Sequence, residues 1–392
     1  VLPPPLYIDS EPALRQWADR LAHTQVVAVD TESDSFHRYR EKVCLIQMTA
    51  LDQDVIIDPL RLPNLDPLRQ MFADPKVVKI FHDAGYDLLC LRRDFGFEPR
   101  GLFDTMLASR LLGQTQFGLA ALLRERFAFE ADKKQQRSDW AQRPLSDAQL
   151  DYARYDTHFL PALHQALRAE LQAVGRLGWA EEDFARLPSV SERLSAKSPI
   201  PPELLFWRVT GARALPPPAR GRLQALVQLR EQLAQQLDRP AFRVFSDALL
   251  LELANQAPGV LPDLQPQPGL RHGGIRRFGP QIMSALGRAK PVFGEPPPGV
   301  SRRRRTGRLL EATAKDRYED LRTLRSELSK DLGLEPDVTL SNALLEELAR
   351  QPPTDLAQLA GRPELQGWRG PRFVEPLMRL LSKPPQVAAP KT

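Results

Sequence analysis

Cysteine is nearly absent from this sequence. Only Cys44 and Cys90 occur in 392 residues, in no metal-ligand spacing. That excludes a thiolate zinc centre and a disulfide-stapled scaffold. Both cysteines lie in apolar stretches, "KVCLIQM" and "LLCLRRDF", the setting of buried free thiols in a reducing cytoplasm. No apolar run reaches the length of a membrane span. The opening "VLPPPLYIDSEPALRQWADR" has no basic segment followed by a long apolar stretch, so no secretory leader is expected. It starts on Val1 rather than Met, and part of the natural terminus is expected to lie upstream.

Proline and charge are plentiful. With 42% apolar and 26% charged residues the composition is that of an ordinary globular protein. The length exceeds what one hydrophobic core usually covers, so two or three domains are expected. Residues 1–190 contain 12 prolines and the remainder 25. "KSPIPPELL" (197–205), "ALPPPARGR" (214–222) and "KPVFGEPPPGVSRRRR" (290–305) read as linkers, because proline lacks an N–H and ends helices and central strands. Charge divides along the same line. Residues 1–190 carry 23 Lys+Arg against 28 Asp+Glu, a balance of −5; residues 191–392 carry 31 against 21, a balance of +10. An acidic first half is suited to cations and a basic second half to a polyanion.

The first region predicts an α/β unit. "VVAVDTE" (26–32), "KVCLIQMTA" (42–50), "DVIIDPL" (54–60) and "VVKIFHDA" (77–84) read as strands. "EPALRQWADRLA", "YDLLCLRRDFG", "TMLASRLLG" and "SDAQLDYARYDTHFLPALHQALRAELQ" read as helices, giving a mixed sheet flanked by helices. The second half repeats itself. "LREQL…SDALLLELANQAP" (229–258) recurs as "LRSEL…SNALLEELARQPP" (324–353), with nine identities in the thirteen-residue block. Each copy runs on to a Gly-Pro and a further helical pattern, so two copies of one small helical domain are expected. Ser246 and Ser341 are the expected N-caps.

Carboxylates carry the chemistry. Asp30 and Glu32 end the first strand two residues apart, and alternation points both to one face. Two solvated strand-end carboxylates would look the same in a tripeptide. Asp87 follows the fourth strand, and Asp156 lies within the helical "LDYARYDTHFL". Four carboxylates from separate segments can hold two divalent ions, and hard oxygen ligands suit Mg²⁺ or Mn²⁺. Such an ion pair clamps the attacking and leaving oxygens of a phosphoryl displacement. Helical spacing puts Tyr152 on the face of Asp156 and turns Tyr155 about 100° away. Tyr152 could thus orient or deprotonate the attacking water.

"VDTE", "FHDAGYDL" and "YARYD" together resemble the three exonuclease motifs of the DEDD superfamily, in its tyrosine subgroup. The histidine subgroup has His five residues before the last aspartate, where this chain has Asp151. Within that subgroup "DTES…YREKVCLIQM", "LFDTMLASRLLG" and "SDWAQRPLSDAQLDYARYDTHFL" are similar to ribonuclease D and its nuclear exosome relatives. The repeats resemble the HRDC domain of ribonuclease D and RecQ-type helicases. The resemblance implies an α/β ribonuclease H-like exonuclease domain over 1–195. It further implies HRDC-like domains over 205–290 and 313–385, separated by a Pro/Arg-rich linker, 291–312. It assigns the metal ligands to Asp30, Glu32, Asp87 and Asp156, and the water to Tyr152. The implied activity is release of 5′-mononucleotides from RNA 3′ ends, notably tRNA precursors, by a cytoplasmic monomer. Two readings compete: a 3′–5′ DNA exonuclease, and a non-catalytic nucleic-acid-binding scaffold.

Substrate contacts are less sharply marked. Phe36, His37 and Tyr39 follow the first motif and could stack a terminal base. His82 could meet the site or be a hydrogen-bonded structural histidine, and Asp83 competes with Asp87 for the second motif. In "DKKQQRSDWAQRPL" (132–145), Lys133, Lys134 and Arg137 could meet phosphate, with Trp140 packing; a surface loop with a buried Trp anchor fits as well. Arg271, Arg276 and Arg277 form a candidate nucleic-acid contact in the first repeat, and "SRRRR" (301–305) another. Arg369 and Arg372 make a thinner patch in the second repeat. "WRVTGARALPPP" is a candidate brace between the nuclease domain and the first repeat.

Overall fold

A computed structural model describes residues 3–132, 134–195, 200–297, 300 and 312–382. The N-terminal region is a six-stranded mixed sheet. Its strands are β1 (Leu6–Ile8), β2 (Val26–Ser33), β3 (Val43–Ala50), β4 (Gln53–Ile57), β5 (Val78–Phe81) and β6 (Leu102–Asp104), in the order β1-β4-β3-β2-β5-β6. β2, β3 and β4 form an antiparallel meander; β1, β5 and β6 add in parallel. The four expected strands are present, with ends shifted by up to three residues. β1 and β6 had no legible signal, because three residues cannot display an alternation.

Helices cover both faces: α1 (Glu11–Leu21), α2 (Arg69–Ala73), α3 (Gly85–Phe95), α4 (Thr105–Leu111), α5 (Leu119–Phe127), α6 (Asp147–His158), α7 (Leu160–Ala173) and α8 (Leu177–Ser195). Every residue of β3 is buried, because α1 and α3 cover one face and α6 the other. Ile46 and Met48 join Trp17 and Leu91 on the first face, while Leu45 joins Trp140 and Ala153 on the second. The long helical pattern of 146–172 is two helices. Pro161 sits in the first turn of α7, and the missing N–H breaks the run near Phe159. α6 starts on a capping box made by Ser146 and Gln149, which fixes the turn that aims its side chains.

The first repeat comprises α9 (Pro217–Leu237), α10 (Ala241–Val244), α11 (Asp247–Gln256) and α12 (His272–Gly287). The second comprises α13 (Ala312–Asp331), α14 (Pro336–Thr339), α15 (Asn342–Arg350), α16 (Leu356–Ala360) and α17 (Gly370–Leu381). Ser246 and Ser341 cap α11 and α15 as expected. The duplication extends to buried polar contacts. Arg230 donates to the Phe245 carbonyl and to Asp247, and Arg325 donates to the Leu340 carbonyl and to Asn342.

The two repeats meet the nuclease region differently. "WRVTGARALPPP" does not brace the domains: Trp207, Val209, Ala212 and Leu215 are apolar enough to be absorbed into the first repeat's own core. The brace is the second repeat. One continuous core joins Leu163, Leu167 and Phe184 to Leu321, Leu345 and Trp368. Trp179 stacks on Trp368, with ring centroids 4.6 Å apart and planes 6° from parallel.

Candidate active site

β2 is a central strand, hydrogen-bonded to β3 on one side and β5 on the other. Its last residues carry Asp30 and Glu32 on one face, and α6 lays Asp156 over that face. One carboxylate oxygen from each of Asp30, Glu32 and Asp156 lies within 4.8 Å of the others. Asp87 approaches from the first turn of α3 and is buried. Thr31, between the two acidic residues, donates its hydroxyl to Asp87 Oδ1 at 2.5 Å. The i+1 residue thus ties the fourth carboxylate to the strand whose i and i+2 residues form the group. Asp83 is exposed, with a left-handed φ of 65°, and its backbone N–H donates to Asp104. It does not take the place of Asp87.

Crowded, buried carboxylates resist ionising together. Burial, then Asp156, pushes Asp30 well above the usual carboxylate range. Glu32 is pushed well above it by burial and then by Asp30, Asp156 and Asp87. Burial and Asp30 do the same to Asp87. Asp156 is pushed up to about 7 by burial and by Asp87. This set of hard oxygen donors, each unfavourable to ionise without a neighbouring cation, fits divalent ions. The half-buried Asp30, Glu32 and Asp156 group has the make-up of a metal-binding site, consistent with use of a divalent cation.

The two tyrosines separate as helix geometry requires. Tyr152 is half-buried beside the group, and burial followed by Asp156, Glu32 and Asp30 raises its phenol well above its ordinary value. Tyr155 packs away from it, against Phe129 at 4.6 Å and Phe159 at 6.2 Å between ring centroids.

The other expected contacts divide. Trp140 is buried, 1% exposed, and is an anchor that packs on Tyr152. Arg137 is exposed and lies over the Phe36 ring at 5.9 Å. Lys134 is exposed and pairs with Asp132, while Lys133 and "SRRRR" lie outside the described residues. Phe36 is 44% exposed, edge-on to the exposed Phe242 of the first repeat. His37 and Tyr39 are half-buried and have polar partners. His37 is bonded to the Arg137 carbonyl; the Tyr39 phenol is raised by burial and by Glu231, and its backbone N–H donates to Asp238. Polar edges in this inter-domain seam find protein partners. His82 is the hydrogen-bonded structural histidine: Nδ1 meets Thr105 Oγ1 at 2.9 Å, and burial pushes the ring down to about 4. Arg271 is the N-cap residue of α12, and Arg276 and Arg277 stand exposed in its first turns. Arg369 and Arg372 are consumed by packing against α8: Arg369 pairs with Asp183, and Arg372 covers Trp179.

Sequence reading missed the groups behind these residues. Arg143 makes a two-pronged pair with the fully buried Asp58 at 2.6 and 2.8 Å and donates to the Trp140 and Cys44 carbonyls. It thereby clamps the segment that carries Trp140. No local pattern links residues so far apart in the chain.

Residues 5–172 match the family described as 3′–5′ exonuclease, and residues 219–286 and 314–381 each match the HRDC domain. A ribonuclease D from Gluconacetobacter diazotrophicus is 31% identical over 385 residues, which is 96% of this chain and 93% of that protein. The chain belongs to the ribonuclease D family. A second member, from Granulibacter bethesdensis, is 30% identical over 383 residues, again 96% of this chain and 93% of the relative. The fold agrees with the crystal structure of Escherichia coli RNase D, described as an exoribonuclease involved in structured RNA processing. The TM-score is 0.72 at 24% identity, over 97% of this chain and 100% of that one. With family and acidic group together, the chain is a metal-dependent 3′–5′ exoribonuclease, and the scaffold reading falls. No helix among the described residues is long and apolar enough to cross a membrane. Cys44 and Cys90 are buried free thiols, pushed up to about 12 by burial.

Proposed function

We propose that Asp30, Glu32, Asp87 and Asp156 hold two divalent cations, Mg²⁺ or Mn²⁺, and that Tyr152 positions the attacking water. The observation that carries this is the approach of three carboxylates from β2 and α6 to within 4.8 Å, beside one phenol. Bound cations supply the charge that offsets the phosphate and the negative charge developing in its displacement. Burial, the largest cause of the raised phenol, favours its protonated form, and Tyr152 is assigned a hydrogen-bonding role rather than that of a general base. Thr31 fixes Asp87, and Trp140 fixes the Tyr152 ring.

The substrate is the 3′ end of single-stranded RNA, released as 5′-mononucleotides, with tRNA precursors as the natural class. Phe36 offers an exposed ring to a base, Arg137 and Lys134 a cationic rim, and Arg271, Arg276 and Arg277 a more distant phosphate contact. The working unit is a monomer, and its buried free thiols fit a reducing cytoplasm. Domains at 1–195, 205–290 and 313–385 with a linker at 291–312 are supported by the grouping of helices around each repeat. The test is shortening of matched RNA and DNA strands with free or blocked 3′ ends, in Mg²⁺ or Mn²⁺. RNA with a free end should be shortened, and Asp30→Asn or Asp156→Asn should abolish this. Equal rates on DNA would support the DNA-exonuclease alternative, and no shortening of either strand would sink the catalytic assignment.

A further inference from the structure

Gln47 is a polar residue in the middle of β3 and is 0% exposed. Both side-chain amide atoms, Nε2 and Oε1, are buried without a hydrogen-bond partner. A buried amide left unpaired costs about 1–3 kcal/mol, so a core position should carry an apolar residue unless the amide has another use. The sheet register indicates that use. Gln47 stands directly opposite Asp30 on β2 and opposite Ile56 on β4. Residues opposite one another in an antiparallel pair project to the same face, with Cβ atoms about 5 Å apart. The polar cross-strand neighbour of Gln47 is therefore the Asp30 carboxylate, and the other neighbour is a hydrocarbon. Above this face lies α6; its Thr157 hydroxyl is already taken by Thr49 at 2.9 Å and by the Arg154 carbonyl, while its Tyr152 and Asp156 belong to the carboxylate site itself.

We propose that Gln47 is a positioning residue: once a divalent cation is bound, its amide NH₂, unpaired in the metal-free chain, donates to the Asp30 carboxylate and fixes the orientation in which that carboxylate meets the ion. An ionised carboxylate only accepts hydrogen bonds, and a ligand carboxylate is held by an outer donor on the oxygen lobes its ion leaves free. Gln47 faces Asp30 across the β2–β3 pair, and Glu32 and Asp156 each bring a carboxylate oxygen within 4.8 Å of Asp30. This role rests on the cation-site reading and concerns a residue outside the carboxylate set.

Mn²⁺ binding to the full chain, followed by calorimetry, and the melting temperature of the metal-free protein test it together. Gln47→Met keeps the length and removes the donor. It should melt no lower than wild type, since an unpaired buried amide is gone. It should nevertheless bind Mn²⁺ about tenfold more weakly, the usual cost of losing an outer-shell partner. Turnover at saturating Mn²⁺ should recover most of the wild-type value, so the effect falls on the metal requirement. Gln47→Glu preserves the shape and replaces the donor by an acceptor; it should weaken binding further. Unchanged or tighter Mn²⁺ binding in either folded variant overturns the role of Gln47 alone. A wild-type chain that takes up no Mn²⁺ overturns the cation site itself, and this role with it.

Discussion

Trp140 lies against Tyr152, ring centroids 5.9 Å apart and planes tilted by 33°. The contact holds the phenol beside the carboxylates, whereas Tyr155 spends its ring on Phe129 and Phe159. Tyr152→Phe should therefore lower kcat on RNA by on the order of 10²-fold, the scale of a lost proton-handling or water-orienting group. KM should change little. Tyr155→Phe should leave kcat near wild type. Single-turnover rates on a 5′-labelled strand separate the two, and equal losses would mean that Tyr152 has no special part.

Arg143 secures that arrangement from behind. Asp58 is fully buried and accepts from Arg143 and from the Tyr7 hydroxyl, which keeps its carboxyl below the usual range despite burial. Arg143→Ala strands the Asp58 charge in the interior, a loss of about 3–5 kcal/mol for a broken buried pair. The melting temperature should drop accordingly. Since the same guanidinium holds the Trp140 carbonyl, the folded fraction should also turn over more slowly. A variant with wild-type melting would show that the pair is not needed for the fold.

These cases mark what a sequence shows. Asp30 with Glu32, and Tyr152 with Asp156, were legible because strand and helix periods place i+2 and i+4 on one face. The capping serines were legible for the same local reason. Asp58 with Arg143, Phe36 with Phe242, and Gln47 opposite Asp30 are pairings between segments, and no local period encodes a partner. Gln47 reads in sequence as one polar interruption of an apolar strand; only the register shows which carboxylate it faces. The misplaced brace has a related cause. "WRVTGARALPPP" is apolar enough to be buried, but its sequence does not say in which core.

The carboxylate group should make stability depend on pH in the opposite sense to an ordinary salt bridge. Asp156 is raised to about 7, and Asp30, Glu32 and Asp87 are also raised, so the metal-free fold holds protons that the unfolded chain releases near pH 4. The Asp156 contribution is fully present below about pH 4 and is lost as pH rises through about 7, and those of Asp30, Glu32 and Asp87 are lost in the same sense as pH rises. In a chelator, melting temperature should fall across that window. Asp156→Asn should flatten the fall, and Mn²⁺ should reverse it at alkaline pH by replacing the protons. A chelated wild type that tracks Asp156→Asn at every pH would show that the group is not electrostatically coupled.

The two repeats should respond differently to loss of arginine. Arg369 gives Asp183 both terminal guanidinium nitrogens, one at 2.9 Å, and donates Nε to the Thr339 carbonyl at 2.6 Å. Both side chains are nearly buried, at 11% and 7% exposure. Arg369→Ala leaves Asp183 with only Arg186, at 3.3 Å, and loosens the joint where Trp179 stacks on Trp368. Because one core runs through that joint, the melting temperature should fall in a single transition, by the equivalent of about 3 kcal/mol. The salt dependence of RNA binding should stay unchanged. Arg276→Ala and Arg277→Ala, on the exposed face of α12, should do the reverse. Melting should hold, while each loss of a phosphate contact lowers the slope of log K against log salt by about 0.7 on a single strand. If Arg369→Ala lowers the slope and leaves melting untouched, the second repeat is a nucleic-acid surface rather than a brace.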